Sequence, residues 1–154
     1  DQAFAVDWIQ AEHPLAVTHN HGVIEHPVIF ASGRVLLAYQ DRATQLRYAA
    51  RETLREFGPN CPSTPETLVE LLDQIAAEGS TVTSNVANSG IAAVATPVFD
   101  SAGRIVISIG CSAPVSRTTD GQIAAVLRRL KEVSATMTKK LGGVAPSRPQ
   151  KPAA

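Results

Sequence analysis

The run IAAVATPVFDSAGRIVISIGCS, residues 91–112, decides the fold class. Residues 91–99 are one apolar stretch of strand length, Asp100 to Gly103 carry hairpin-loop chemistry, and Arg104 to Ser112 return as a second strand. In the return strand Ile105, Ile107, Ile109 and Cys111 alternate with Val106, Ser108, Gly110 and Ser112. Strict alternation places the two sets on opposite faces. The first set reads as an ordinary core face, which makes Cys111 a buried, inert thiol. The second is small and hydroxyl-bearing, so it leaves volume and hydrogen-bonding groups for something other than core.

Helical and turn signals surround this hairpin. Residues 120–141 fit a long helix with Ile123, Leu127, Leu130, Met137 and Leu141 along one side, ended by Gly142 and Gly143. Upstream, Ser63 and Glu66 fit a capping box with Pro65 in the first turn, and Leu68, Leu71, Leu72 and Ile75 form a stripe that stops at Gly79. A helix over 41–57 has Asp41 as N-cap and Leu46, Ala50, Leu54 and Phe57 as its stripe. Residues 31–39 read as a short helix, and Phe4–Trp8 and Leu15–Thr18 as short strands broken by turn residues. The order β-β-α-α-α-β-β-β-α is an α+β arrangement, helices packed on a largely antiparallel sheet. One domain over 1–143 is expected, followed by a Pro- and Ala-rich disordered tail over 144–154.

Bulk composition narrows the function classes. The chain has 154 residues with Lys+Arg 14 against Asp+Glu 14, so no global field draws it to nucleic acid or anionic lipid. Cys61 and Cys111 are too few and too far apart for a disulfide framework and read as reduced thiols in a cytoplasmic protein. No stretch approaches the ~20 apolar residues of a membrane span, and residue 1 is Asp, without a signal peptide, as expected of a piece of a longer chain. His13, His19, His21 and His26 invite a metal reading, but three or four convergent ligands would be needed. A nucleophile elbow, a phosphate loop and a zinc-protease motif are all missing, so neither catalysis nor a cofactor is expected.

Three segments carry a family resemblance. Ala31-Ser32-Gly33-Arg34-Val35-Leu36-Leu37-Ala38, Gly90-Ile91-Ala92-Ala93-Val94-Ala95-Thr96-Pro97-Val98-Phe99-Asp100 and Ser112-Ala113-Pro114-Val115-Ser116-Arg117 resemble, in order, motifs of the effector-binding domain of IclR-type bacterial transcription regulators. The resemblance covers roughly 23–140. It implies a GAF/PAS-like fold, an antiparallel sheet with helices on one side and a ligand pocket on the other. It also implies a small organic effector, pairing of copies as dimers or tetramers, and operator DNA reached only through an N-terminal winged helix-turn-helix that this chain does not contain.

By that resemblance the contacts to an effector fall on Ala31, Ser32, Gly33, Thr83, Ala93, Gly110 and Ser112. The first three open a helix, whose unpaired amides and partial positive charge suit a carboxylate. Gly110 and Ser112 reach the same assignment from the alternation above. Thr83 stands where many members carry an acidic residue, so a neutral hydroxyl replaces a charge and the expected effector is a weakly polar or aromatic acid. Two alternatives stay open: a stand-alone GAF-like sensor or assembly module, and a histidine-cluster metal domain.

Overall fold

Capping chemistry sets most of the helix boundaries. The computed structural model describes residues 3–13, 16–17, 22–24, 26–51, 60–86 and 90–146. Its elements in order are β1 (Ala3–Ala5), β2 (Gly22–Ile24), α1 (Ala31–Ala38), α2 (Arg42–Arg51), α3 (Pro65–Glu78), β3 (Thr81–Ser84), β4 (Ile91–Phe99), β5 (Ile105–Pro114) and α4 (Asp120–Lys140), with a short 3-10 turn over Val115–Arg117 before α4. This is the expected order and the expected mixture of helices with antiparallel sheet. Helix α2 starts where the Asp41 carboxylate accepts the Thr44 amide at 2.7 Å. Helix α3 is capped one residue later than expected: Thr64, not Ser63, forms the capping box, and its partner is Thr67, not Glu66. Pro65 explains the shift, because its fixed φ suits the first helical position and leaves the residue before it as the cap. Gly79 closes α3 in the left-handed conformation at φ 66°, a backbone that costs glycine little.

The sheets are antiparallel throughout. Strands β3, β4 and β5 lie in that order in one sheet, and β1 pairs with β2 in another. Of the two expected N-terminal strands, the first is reduced to Ala3–Ala5 and its partner β2 falls at Gly22–Ile24; in the stretch expected to hold the second, Ala16 and Val17 are in no strand, and Leu15 and Thr18 lie outside the described residues. The β4–β5 hairpin turns at Asp100, whose carboxylate accepts the amides of Ala102 and Arg104 at 2.9 Å each. Its register carries a bulge: Val98 faces Ile107 while Phe99 faces Ile105. The bulge inserts Val106 as an extra residue and reverses the side-chain alternation across it. Ile105 therefore packs with the helical core, on the opposite face from Ile107, Ile109 and Cys111.

Two helical layers flank this sheet. Helix α1 packs against β4 and β5 with α3 behind it, and α4 lies mainly over β4. The core is built from Val28, Val35, Leu37, Leu68, Leu72 and Ile75 with Ala31, Ala38, Ala49, Ala76 and Ala95 between them. Small residues at that contact let α1 approach the sheet closely.

The expected apolar stripe of α2 is corrected, and that of α4 at its C-terminal end. In α2, Leu46 is 47% exposed, and the buried residues are Thr44, Gln45 and Ala49. Gln45 is held inward because its side-chain amide donates to the carbonyls of Leu37 and Ala38 at 3.1 and 3.4 Å, closing the C-terminal end of α1. Leu54 and Phe57 lie outside the described residues. In α4 the expected side faces inward, with Ile123, Leu127, Leu130 and Met137 half-buried, but the buried residues are Ser134 and Thr138, and Leu141 is 53% exposed. Thr138 is drawn in because its hydroxyl accepts the Phe99 amide at 3.1 Å. Cys111 is likewise exposed rather than buried. Among the described residues β5 is a sheet edge and α4 lies mainly over β4, which leaves Cys111 at the rim of that helix layer.

Candidate ligand-binding site

Cross-strand register assembles the site. Thr83 pairs with Ala93 and Ala93 with Ser112, so these three form one row across β3, β4 and β5. The neighbouring row is Thr81, Ala95 and Gly110. Directly opposed residues, and those two apart, share a face of a sheet. Residues from three different strands, Thr83, Ala93, Gly110 and Ser112, thus stand together, and that face is the one against which α1 packs. The side chain of Thr83 is buried and its hydroxyl donates to the Ala93 carbonyl at 3.4 Å.

Helix α1 brings the remaining residues. A Cβ placed on Gly110 would stand 2.8 Å from the Ser32 Oγ and 2.9 Å from the Val94 carbonyl oxygen. The N-terminal turn of α1 therefore sits directly on the glycine of β5. Ala31 is buried in the core, so only its backbone is available for contact. Gly33 packs its Cα on the backbone of Pro27, where any Cβ would overlap, and this close approach is why glycine is required there. Thr81, also buried, completes the hydroxyl set. It is absent from the sequence-based assignment, although its i, i+2 spacing to Thr83 is the signal that reveals it.

The electrostatics of this face come from backbone rather than from charged side chains. Helix α1 begins after Phe30 with no side-chain cap and no acidic residue in its first turn. By contrast, α3 and α4 carry full capping boxes at Thr64 and Thr119. The first-turn amides of α1 have no intrahelical acceptors, and they carry the positive end of the helix dipole toward the hydroxyl-bearing face. The arrangement can accept an anionic group without a buried cation. A separate open groove of about 370 Å³ lies on the other side of the sheet, between the first half of α4, β3 and β4. None of the expected contact residues lines it. His19 and His21 lie outside the described residues; among the described residues no group of three or more His, Cys, Asp or Glu is placed to hold a metal.

The sequence as a whole matches a known family. The model named Bacterial transcriptional regulator IclR C-terminal aligns with residues 1–139. The chain belongs to this family. It is an effector-binding domain of the IclR type, from a family of transcriptional regulators and not of enzymes.

The IclR-type fold is seen directly in solved structures. The Thermotoga maritima IclR superposes with a TM-score of 0.80 at 25% identity, covering 92% of this chain and 57% of that one. The inducer-binding domain of a PobR double mutant from Acinetobacter, in complex with 3-hydroxybenzoic acid, superposes with a TM-score of 0.70 at 21% identity, covering 78% of this chain and 69% of that one. Among curated proteins, the HTH-type transcriptional regulator BhcR of Paracoccus denitrificans is 34% identical over 95 residues, 61% of this chain and 34% of that protein. The Pca regulon regulatory protein of Pseudomonas putida is 28% identical over 91 residues, 59% of this chain and 31% of that protein. The chain thus spans about a third of the length of these curated relatives. Among the described residues no helix is long and apolar enough to cross a membrane.

Proposed function

We propose that this IclR-type domain senses a small organic acid, an aromatic acid being the best fit, on the face formed by Ser32, Thr83, Ala93, Gly110 and Ser112. The observation that carries the reading is the uncapped N-terminus of α1 resting on Gly110. The amides of Ala31, Ser32 and Gly33 meet the carboxylate, while the hydroxyls of Ser32, Thr83 and Ser112 orient the rest of the molecule. The aromatic preference draws on the 3-hydroxybenzoic acid complex of PobR and on the lack of any charged side chain among these residues. Binding is coupled to operator DNA through a winged helix-turn-helix N-terminal to this domain, in a cytoplasmic protein whose copies assemble as dimers or tetramers. The effector can shift the DNA-binding geometry by no more than its difference in affinity between the two arrangements.

The test is a thermal-shift titration of the chain with benzoate, 3-hydroxybenzoate and a set of aliphatic carboxylates, in parallel with Ser112→Leu. A ligand at a hundred times its dissociation constant adds roughly 2.7 kcal/mol of stability. An aromatic acid should raise the midpoint of the native chain, and Ser112→Leu should abolish that rise while leaving the unliganded protein folded. Equal responses of the two proteins would remove the ligand from this face, and a response confined to aliphatic acids would overturn the aromatic preference.

A further inference from the structure

Helix α4 gives its own sheet small hydroxyl residues and keeps its bulk toward the rim. The residues it buries are Ser134 and Thr138. On the face of β4 that it covers, Thr96 is fully buried with its hydroxyl unpartnered, a contact that costs stability rather than adding it. A surface helix ordinarily turns its large apolar residues fully into the core. In α4, Ile123, Leu130 and Met137 are only half-buried, and Val126 and Val133 are 38% and 36% exposed. Along the chain these five residues are spaced 3, 4, 3 and 4 apart. That is the a/d spacing of a helix that packs on a second helix, yet α1 and α3 belong to the layer on the other side of the sheet.

We propose that this row is a contact surface between two copies of the chain, with α4 against α4 in an antiparallel two-fold alignment centred on Leu130. It gives a surface to the assembly of copies proposed above and rests on none of the effector contacts.

Self-complementarity selects a second copy as the occupant. One flank of the row, Leu127 and Ser134, is turned to the chain's own sheet and the groove beside it, so the opposite flank is the open one. An antiparallel two-fold pair sets like flank against like flank. On the open flank stand Arg129 and Glu132, paired within the chain at 2.8 Å and with side chains 76% and 54% exposed. With Leu130 on the axis, the helical rise brings Arg129 of one copy to within ~1.5 Å of the level of Glu132 of the other. The two ion pairs then close into a four-charge cluster of alternating sign. By the same geometry Val126 meets Val133, and Ile123 meets Met137. At either end the acidic first turn of one helix, with Asp120, runs beside the basic last turn of the other, with Lys139 and Lys140, and the helix dipoles are opposed. A parallel alignment would instead set Arg129 level with Arg129 and Glu132 level with Glu132.

The test is the mass of the full chain, without ligand, by sedimentation equilibrium over a series of concentrations. It is run beside a Val126→Glu/Val133→Glu double variant and a Val82→Glu control, whose residue is exposed on β3 away from the row. The native chain should associate, the double variant should halve its mass, and the control should match the native chain. Arg129→Glu and Glu132→Arg should each weaken association by setting like charges together. An equal mixture of those two variants should recover it, because each chain then carries the charges that the other lacks. A native chain that stays monomeric across the series overturns the proposal, and so does an associated one whose mass a folded double variant leaves unchanged. If the double variant does not fold, the mixture decides: no gain over its two components overturns the antiparallel contact. Because no ligand is present, failure of the effector reading would leave these masses unchanged.

Discussion

Gly33 and Gly110 show how much a single hydrogen in place of a side chain decides. Gly33 lies against the backbone of Pro27, and Gly110 beneath the Ser32 hydroxyl and the Val94 carbonyl of β4; in each case a backbone atom, not only a side chain, would have to move. Gly33→Ala should destabilise the domain by ~1–3 kcal/mol, the usual cost of overpacking, measured as a lower urea midpoint with unchanged m-value. Gly110→Val should cost a similar ~1–3 kcal/mol and also lift the first turn of α1 away from β5. If Gly110→Val unfolds at the same urea concentration as the native chain, α1 does not rest on that glycine. That Gly110 and Ser112 belong to a small, hydroxyl-bearing set was legible from strand alternation. That Gly33 meets Pro27 was not, because its reason is a contact across a turn rather than a local pattern.

At the scale of elements, end chemistry is the part most open to direct test. Thr64→Ala should cost ~1 kcal/mol through loss of the α3 cap, whereas Ser63→Ala should fall within about ±0.5 kcal/mol. Paired thermal melts decide it, and the reverse order would place the cap at Ser63. Asp41 and Asp100 carry a pH dependence. The amide and hydroxyl of Thr44 hold the Asp41 carboxyl below its ordinary value. The Arg104 amide and guanidinium do the same for Asp100. Both carboxyls thus keep their charge to lower pH in the folded chain than in the unfolded one. Their contribution is complete above the ordinary carboxylate range and is lost as pH falls through the depressed folded values. Asp41→Asn should therefore flatten the fall in stability between about pH 5 and pH 2, with a smaller difference from the native chain at the acid end; an unchanged acid limb would show that the cap carries no charge effect. Strand β5 holds the element-scale lesson. Its alternation is readable, but the bulge at Val106 reverses it, and no residue type there announces a bulge.

For the whole molecule, stability is concentrated on the α1–α3 side of the sheet. Leu68 and Leu72 are fully buried, so Leu68→Ala should cost ~2–5 kcal/mol as lost burial plus cavity. Leu141→Ala at the exposed end of α4 should change stability by less than about 0.5 kcal/mol, although both leucines sit on equally clear helical stripes. Chemical denaturation of the two variants separates them, and comparable losses would mean that α4 contributes as much core as α3. The asymmetry follows from topology: α3 is packed through α1 onto the centre of the structure, whereas α4 rests over β4 beside an edge strand.

The chain's residues determine by themselves the order of elements, the hairpin at Asp100, the cap at Asp41, the stop at Gly79 and the small-residue character of one face of β5. Each of these is a local matter of periodicity, turn conformation or capping, written within a few consecutive positions. Tertiary structure alone decides which apolar stripes are covered, why Gln45 is buried while Leu46 is exposed, and where Cys111 stands. Those outcomes depend on which element lies across from which, and partners tens of residues away leave no mark in the local pattern.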